Sequence, residues 1–132
     1  MSNVNLQGYK VNKIEFANNK EQGSKIGLKH QFSYNVQYAK DRNLARGEFD
    51  LSVFDKDDPE SFKIHIVVVG MFAFQPEVKK EILHTDTFKA LFPYAKALVT
   101  TVTANCGIQP VMIPDIDIDN QQIYRFDGSE SK

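Results

Sequence analysis

The 132-residue chain has no tryptophan, a single cysteine and almost no net charge, with 16 Lys and Arg set against 17 Asp and Glu. Cys106 alone cannot form an internal disulfide, so no covalent staple is available to the fold. A formal charge of −1 and a pI near 6.3 leave no clustered Lys and Arg of the kind that phosphate neutralisation requires, which argues against nucleic acid as a partner and against membrane association. No apolar run is long enough to span a bilayer, and no basic segment leads into an apolar one at the N-terminus. The expectation is a soluble, cytoplasmic protein.

Motifs of catalysis are also missing. G-x-x-x-x-G-K-[ST], G-x-G-x-x-G and G-x-S-x-G do not occur, and His30, His65 and His84 match neither H-x-H nor H-E-x-x-H spacing. Asp115, Asp117 and Asp119 open like a calcium loop, but Asn120 stands where Gly is needed and Phe126 where Glu is needed. They read instead as the solvated face of an extended segment, alternating with Ile116 and Ile118. Cys106 has no neighbouring His and no strong basic neighbour to lower its pKa, so it makes a poor nucleophile. The residues therefore point to no enzyme, no metal and no cofactor.

What the chain has in abundance is aromatic surface and alternation. Ten Phe and five Tyr exceed what one sheet face and one covering layer require, so a share is left to line a groove or an interface. Gly8 to Asn18 reads as a first strand with a parity switch near Asn12-Lys13, the mark of a bulge. Ile26, Leu28, Phe32, Tyr34, Val36 and Tyr38 share one parity in a second strand. Ala45, Gly47, Phe49, Leu51 and Val53 do so in a third. Phe62 to about Phe74 makes a fourth, whose far half is apolar on both faces, as though something covers both. Gln75-Pro76-Glu77 opens a short helix to about His84. Thr85-Asp86-Thr87 then offers caps for a main helix that starts with Pro93 in its first turn and stops at Asn105-Cys106-Gly107. Ala95, Leu98, Val99 and Val102 form its apolar stripe. Strands grouped before helices predict an α+β fold, one antiparallel sheet with helices packed on one face. One domain over 1–132 is expected, with loose ends at about 1–7 and 127–132.

At Leu91-Phe92-Pro93-Tyr94-Ala95-Lys96 the chain resembles the protein-export chaperone SecB, whose main helix carries a closely similar run. Gly70-Met71-Phe72 resembles the Gly-Ile-Phe that ends the family's fourth strand. Ile14 and Phe16 match an Ile-x-Phe of its first strand, and Gln109-Pro110 to Pro114 resembles its post-helix proline segment. The order of elements agrees over roughly residues 9 to 119. The resemblance implies a four-stranded antiparallel sheet with helices on one face, and a tetramer built as a dimer of dimers. It also implies an ATP-independent holdase that keeps unfolded or precursor polypeptides competent for export. By position it assigns groove-lining, client-binding roles to Leu28, Phe32, Phe62 and Tyr94. Family members that dock on the motor SecA use acidic residues on the outer sheet surface. The matching positions here are Lys13, Ala17 and His65, with Lys63 beside them, so the usual acidic docking site is absent and the surface is expected to be neutral to basic. A second reading of the same fold is a dedicated protector of one aggregation-prone partner, such as an antitoxin.

Overall fold

Alternation over the first 74 residues becomes four strands, and the helical period becomes one helix: β1 (Val4–Asn18), β2 (Leu28–Ala39), β3 (Leu44–Asp55), β4 (Phe62–Phe74) and α1 (Lys80–Ala104). The structure, a computed structural model, describes residues 4–21, 23–24, 26–39, 41–116 and 118. The strands form a single antiparallel sheet in the order β1-β4-β3-β2. The expected α+β architecture is the observed one. Because β1 lies beside β4 and not beside β2, residues 19–27 must carry the chain across three strand spacings, about 14 Å. This crossover segment becomes one side of the site described below.

β1 starts at Val4, ahead of the Gly8 expected, because the Val4 side chain is buried and its backbone pairs with Phe74. Two register shifts, between Leu6 and Gly8 and between Val11 and Lys13, interrupt the pairing with β4. Each extra residue flips the parity, so Leu6, Tyr9, Val11, Ile14 and Phe16 all point to the helix side. The parity switch read near Asn12 is thus a bulge. Turn chemistry is as read at Asp41-Arg42-Asn43, where Asn43 takes a positive φ of 52°.

Phe49, Leu51, Val53, Ile64, Ile66, Val68 and Phe72 form the sheet side of the core and are fully buried or nearly so. Gly47 and Gly70 are direct cross-strand partners within it. A side chain on Gly47 would collide with the Tyr34 hydroxyl, and one on Gly70 would press on Leu91 and Phe72. The two glycines make a trough that lets Tyr34 and the helix lie close to the sheet. The Tyr34 hydroxyl donates to Thr87 Oγ1 at 2.6 Å. Burial pushes its pKa far up, against a smaller lowering by Thr87.

Two helices were expected where one is found. Residues 75–79 form turns, and α1 then runs unbroken for 25 residues with Pro93 in its middle. Thr85 and Thr87 do not cap a new helix; their hydroxyls donate back to the carbonyls of Glu81 and Leu83. A mid-helix proline costs about 3 kcal/mol. Burial of Phe88, Leu91 and Phe92 before it and of Val99 after it offsets that, at roughly 1.5–3 kcal/mol each. Pro93 itself is exposed, so its ring displaces nothing in the core. The C-terminal stop is as read: the helix ends at Ala104, and Gly107 takes a φ of 78°. Among the described residues no helix is long and apolar enough to cross a membrane.

Candidate functional site

A cleft of about 750 Å³ opens at the end of the sheet where β2 begins and β1 ends. One wall is the crossover segment, including Lys20, Glu21, Ser24 and Ile26, and the other is the post-helix strap Cys106–Met112. Leu28 lies at its base, with Phe62 fully buried behind it. Leu28 is 40% exposed and Met112 on the strap 74%, so apolar surface faces an open volume.

Both walls lack sheet or helix structure over most of their length, and side chains hold them in place. Asp55, only 1% exposed at the end of β3, clamps the crossover. Its Oδ1 accepts the Gly27 N–H at 3.1 Å, and its Oδ2 accepts the Asp58 N–H at 2.9 Å. The same Oδ2 lies 3.3 Å from the Lys20 ammonium. Burial alone would raise the Asp55 pKa. The Asp58 N–H, the Lys20 ammonium and the Gly27 N–H together outweigh it and hold the carboxyl below its ordinary value. The Gly27 carbonyl adds a backbone tie by accepting the Lys56 N–H at 2.8 Å.

Threonines of α1 hold the strap. Buried Thr103 accepts the Val111 N–H on Oγ1 at 2.7 Å and donates to the Val99 carbonyl at 2.9 Å. Thr100 donates to the Val111 carbonyl at 2.9 Å. The β-branched residues that weaken this helix intrinsically are thus the ones that fasten the chain after it. Beyond the strap Ile113 and Ile118 are buried, and Lys96 meets Asp115 at 2.9 Å. Asp117 and Asp119 lie outside the described residues.

An apolar strip leads away from the cleft along β1. Phe16 contacts Phe62 edge to face at 5.7 Å, and Ile14 and Val11 follow, exposed by 48% and 37%. The strip ends at Tyr9, which stacks on Tyr94 of α1 with centroids 4.6 Å apart. From Phe16 to Tyr9 this spans roughly 23 Å of extended chain. Of the four residues the family resemblance singled out, Leu28 and Phe62 meet in the cleft and Tyr94 stands at the far end of the strip. Phe32 joins neither; it is half-buried between Phe49 and Phe88, at 5.9 and 6.1 Å. Asp55, Thr100 and Thr103 were missed, because a carboxylate at a strand end and hydroxyls on a helix carry no motif. The Thr100-x-x-Thr103 spacing on one helix face, before a proline segment, was the available signal.

Lys13, Ala17, Lys63 and His65 share the outer face of the sheet. That face is not simply neutral to basic, because Glu15 and Asp50 stand among those positions. His65 sits between Asp50 Oδ1 at 2.8 Å from Nε2 and Glu15 Oε1 at 3.5 Å from Nδ1. Opposite ring nitrogens engage the two carboxylates, and among the described residues no group of His, Cys, Asp and Glu is placed to hold a metal ion. The apolar outer side of β4 has no covering layer in the described residues. Val69 is buried between its register partners Lys10 and Glu48, while Met71 is 44% exposed.

No family model matches the chain. An uncharacterised protein of Methanocaldococcus jannaschii, MJ0357, is 28% identical over 123 residues, covering 87% of this chain and 79% of that relative. Among solved structures, the Mycobacterium tuberculosis SecB-like chaperone Rv1957, in complex with a ChAD peptide from the Rv1956 HigA1 antitoxin, superposes with a TM-score of 0.68. It does so at 12% identity over 87% of this chain and 88% of that one. A Streptococcus agalactiae protein of unknown function gives a TM-score of 0.52 at 14% identity, covering 85% and 97%. Identities this low speak for architecture alone, and on that evidence the chain has a SecB-like fold.

Proposed function

We propose that this protein is an ATP-independent holdase that binds unfolded polypeptide segments, with the cleft and the β1 strip as its client track. The observation that carries this reading is the open cleft with exposed Leu28 and Met112 on its lining, continued by exposed Ile14, Val11 and the Tyr9–Tyr94 pair. An extended segment of about seven residues matches the length of the strip. Apolar burial supplies affinity with little demand on sequence. The reading includes no catalytic step and no cofactor.

Assembly is part of the proposal. Among the described residues β1 has a sheet neighbour on one side only, an edge that a second copy can extend, and a dimer of dimers would build the cytoplasmic tetramer the family resemblance implies. A role in export is the general form of the function. SecA stays a possible recipient, one that would need contacts other than the family's acidic ones, because Lys13, Ala17, Lys63 and His65 occupy those positions. The neighbour Rv1957, seen with an antitoxin peptide, favours the second reading, in which the track serves one dedicated partner. The absence of Trp allows a direct test. A Trp-containing, slow-folding client is diluted from denaturant into stoichiometric protein without nucleotide, and its fluorescence is followed. Arrest of several unrelated clients supports the general holdase, arrest of one alone supports the dedicated partner, and normal refolding of all of them overturns both.

A further inference from the structure

The outer face of the sheet carries a second groove, at the opposite end from the cleft. Two shallow hollows of about 440 and 360 Å³ share Met71 and Arg46, so they form one depression across the ends of the strands. Met71 lies at its centre because its register partner on β1 is Gly8, which has no side chain to cover it. A Cβ on Gly8 would meet nothing within 4 Å, and the residue has no positive φ. Gly8 borders the first register shift of β1, but with no positive φ and no close neighbour neither the bulge nor internal packing requires glycine there; its effect is to keep the depression open.

The charge around the depression is mostly positive among the described residues. Lys10, Arg42 and Arg46 line it, and no carboxylate does. Glu48 engages Arg46 from the side at 3.2 Å. In a chain of net charge −1, three cations against the one carboxylate of Glu48 leave a local excess on Lys10 and Arg42 about an exposed methionine, which selects for negative partners. We infer that this groove docks an acidic segment of another protein, one in which carboxylates alternate with aliphatic side chains. The aliphatic residue covers Met71 beside Gly8, and the carboxylates meet Lys10, Arg46 and Arg42. The site faces away from α1, so it binds independently of the client track.

The test uses the full-length protein and two fluorescein-labelled synthetic peptides, one of alternating Asp and Leu and one of alternating Lys and Leu. Fluorescence anisotropy should show saturable binding of the acidic peptide, weakened by added salt, and much weaker binding of the basic one. Gly8→Val fills the groove without a clash and suits a strand, so its thermal midpoint should not fall while acidic-peptide affinity drops roughly fivefold or more. Met71→Gln gives a second variant should Gly8→Val fold poorly, and the same loss is expected. Equal binding of both peptides overturns the inference. So does unchanged affinity in these variants, displacement by a client-track peptide, or no binding at all. Concentration-dependent self-association that Gly8→Val abolishes would assign the groove to a second copy and equally overturn it.

Discussion

The two walls of the cleft do the same mechanical task with different chemistry. On the crossover side a buried carboxylate, Asp55, gathers two backbone N–H groups and an ammonium. On the strap side neutral hydroxyls of Thr100 and Thr103 hold the peptide unit of Val111. The ionic clamp concentrates three contacts on one residue and depends on one ionisation. The hydroxyl clamp divides its contacts between two residues and has no proton to lose. One wall should therefore fail at once and under acid, the other piecemeal and independently of pH.

Asp55→Ala should have the largest effect. It leaves the Gly27 and Asp58 N–H groups without their acceptor and Lys20 without its counter-charge, so the crossover detaches and client affinity falls by roughly tenfold or more. A thiol-reactive fluorophore on Cys106, the only cysteine, with a Trp introduced at Ser24 on the facing wall, reads the gap directly. Quenching by that Trp should drop in the variant. Unchanged quenching together with unchanged affinity would show that backbone ties alone hold the wall.

Acid separates the walls from the body of the fold. His84 is buried edge-on to Tyr34 at 5.3 Å, and burial lowers its pKa from 6.5 to about 4. The unfolded chain takes up this proton first, so stability falls with falling pH across that window, by at most about 1.4 kcal/mol per pH unit. His84→Gln should flatten the slope in urea melts. The Asp55 contribution has another window. Its folded pKa is depressed, so its stabilisation is complete above 3.8 and is lost only below that, as pH falls through the folded value. Hydrogen exchange should therefore find the crossover amides still protected at pH 4.5, where the helix has already weakened. Crossover opening before the helix at that pH would contradict the Asp55 assignment.

Alternation made the sheet legible: β3 and β4 bury every second residue as their patterns require, and the bulge after Val11 follows from the parity switch. The helix was divided because Pro93 and the Thr85-Asp86-Thr87 run are local stop and start signals, and local signals cannot register the burial of Phe88 and Leu91 across them. Strand order was hidden for a related reason. Nothing in residues 19–27 shows that they cross three strand spacings instead of turning back, so nothing in the sequence marks Asp55, at the end of β3, as their clamp. Leu28 and Phe62 came from family position, and their meeting in one cleft depends on that same crossing.

The strap should yield in small steps. Thr103→Val keeps shape and burial but leaves the Val111 N–H without its acceptor, at about 1–2 kcal/mol in a urea melt. Thr100→Val removes one half-buried bond and should cost about 1 kcal/mol. The smallest effect belongs to Lys96→Met. Its ion pair with Asp115 is short, at 2.9 Å, yet the Asp115 side chain is 86% exposed, so water and salt screen most of the attraction and holding two flexible side chains offsets part of the rest. The change should shift stability by no more than about 0.5 kcal/mol and leave client affinity within error. A loss as large as that of Thr103→Val would mean that the strap hangs from its charged end, and the contrast between an ionic wall and a hydroxyl wall would fail on the strap side.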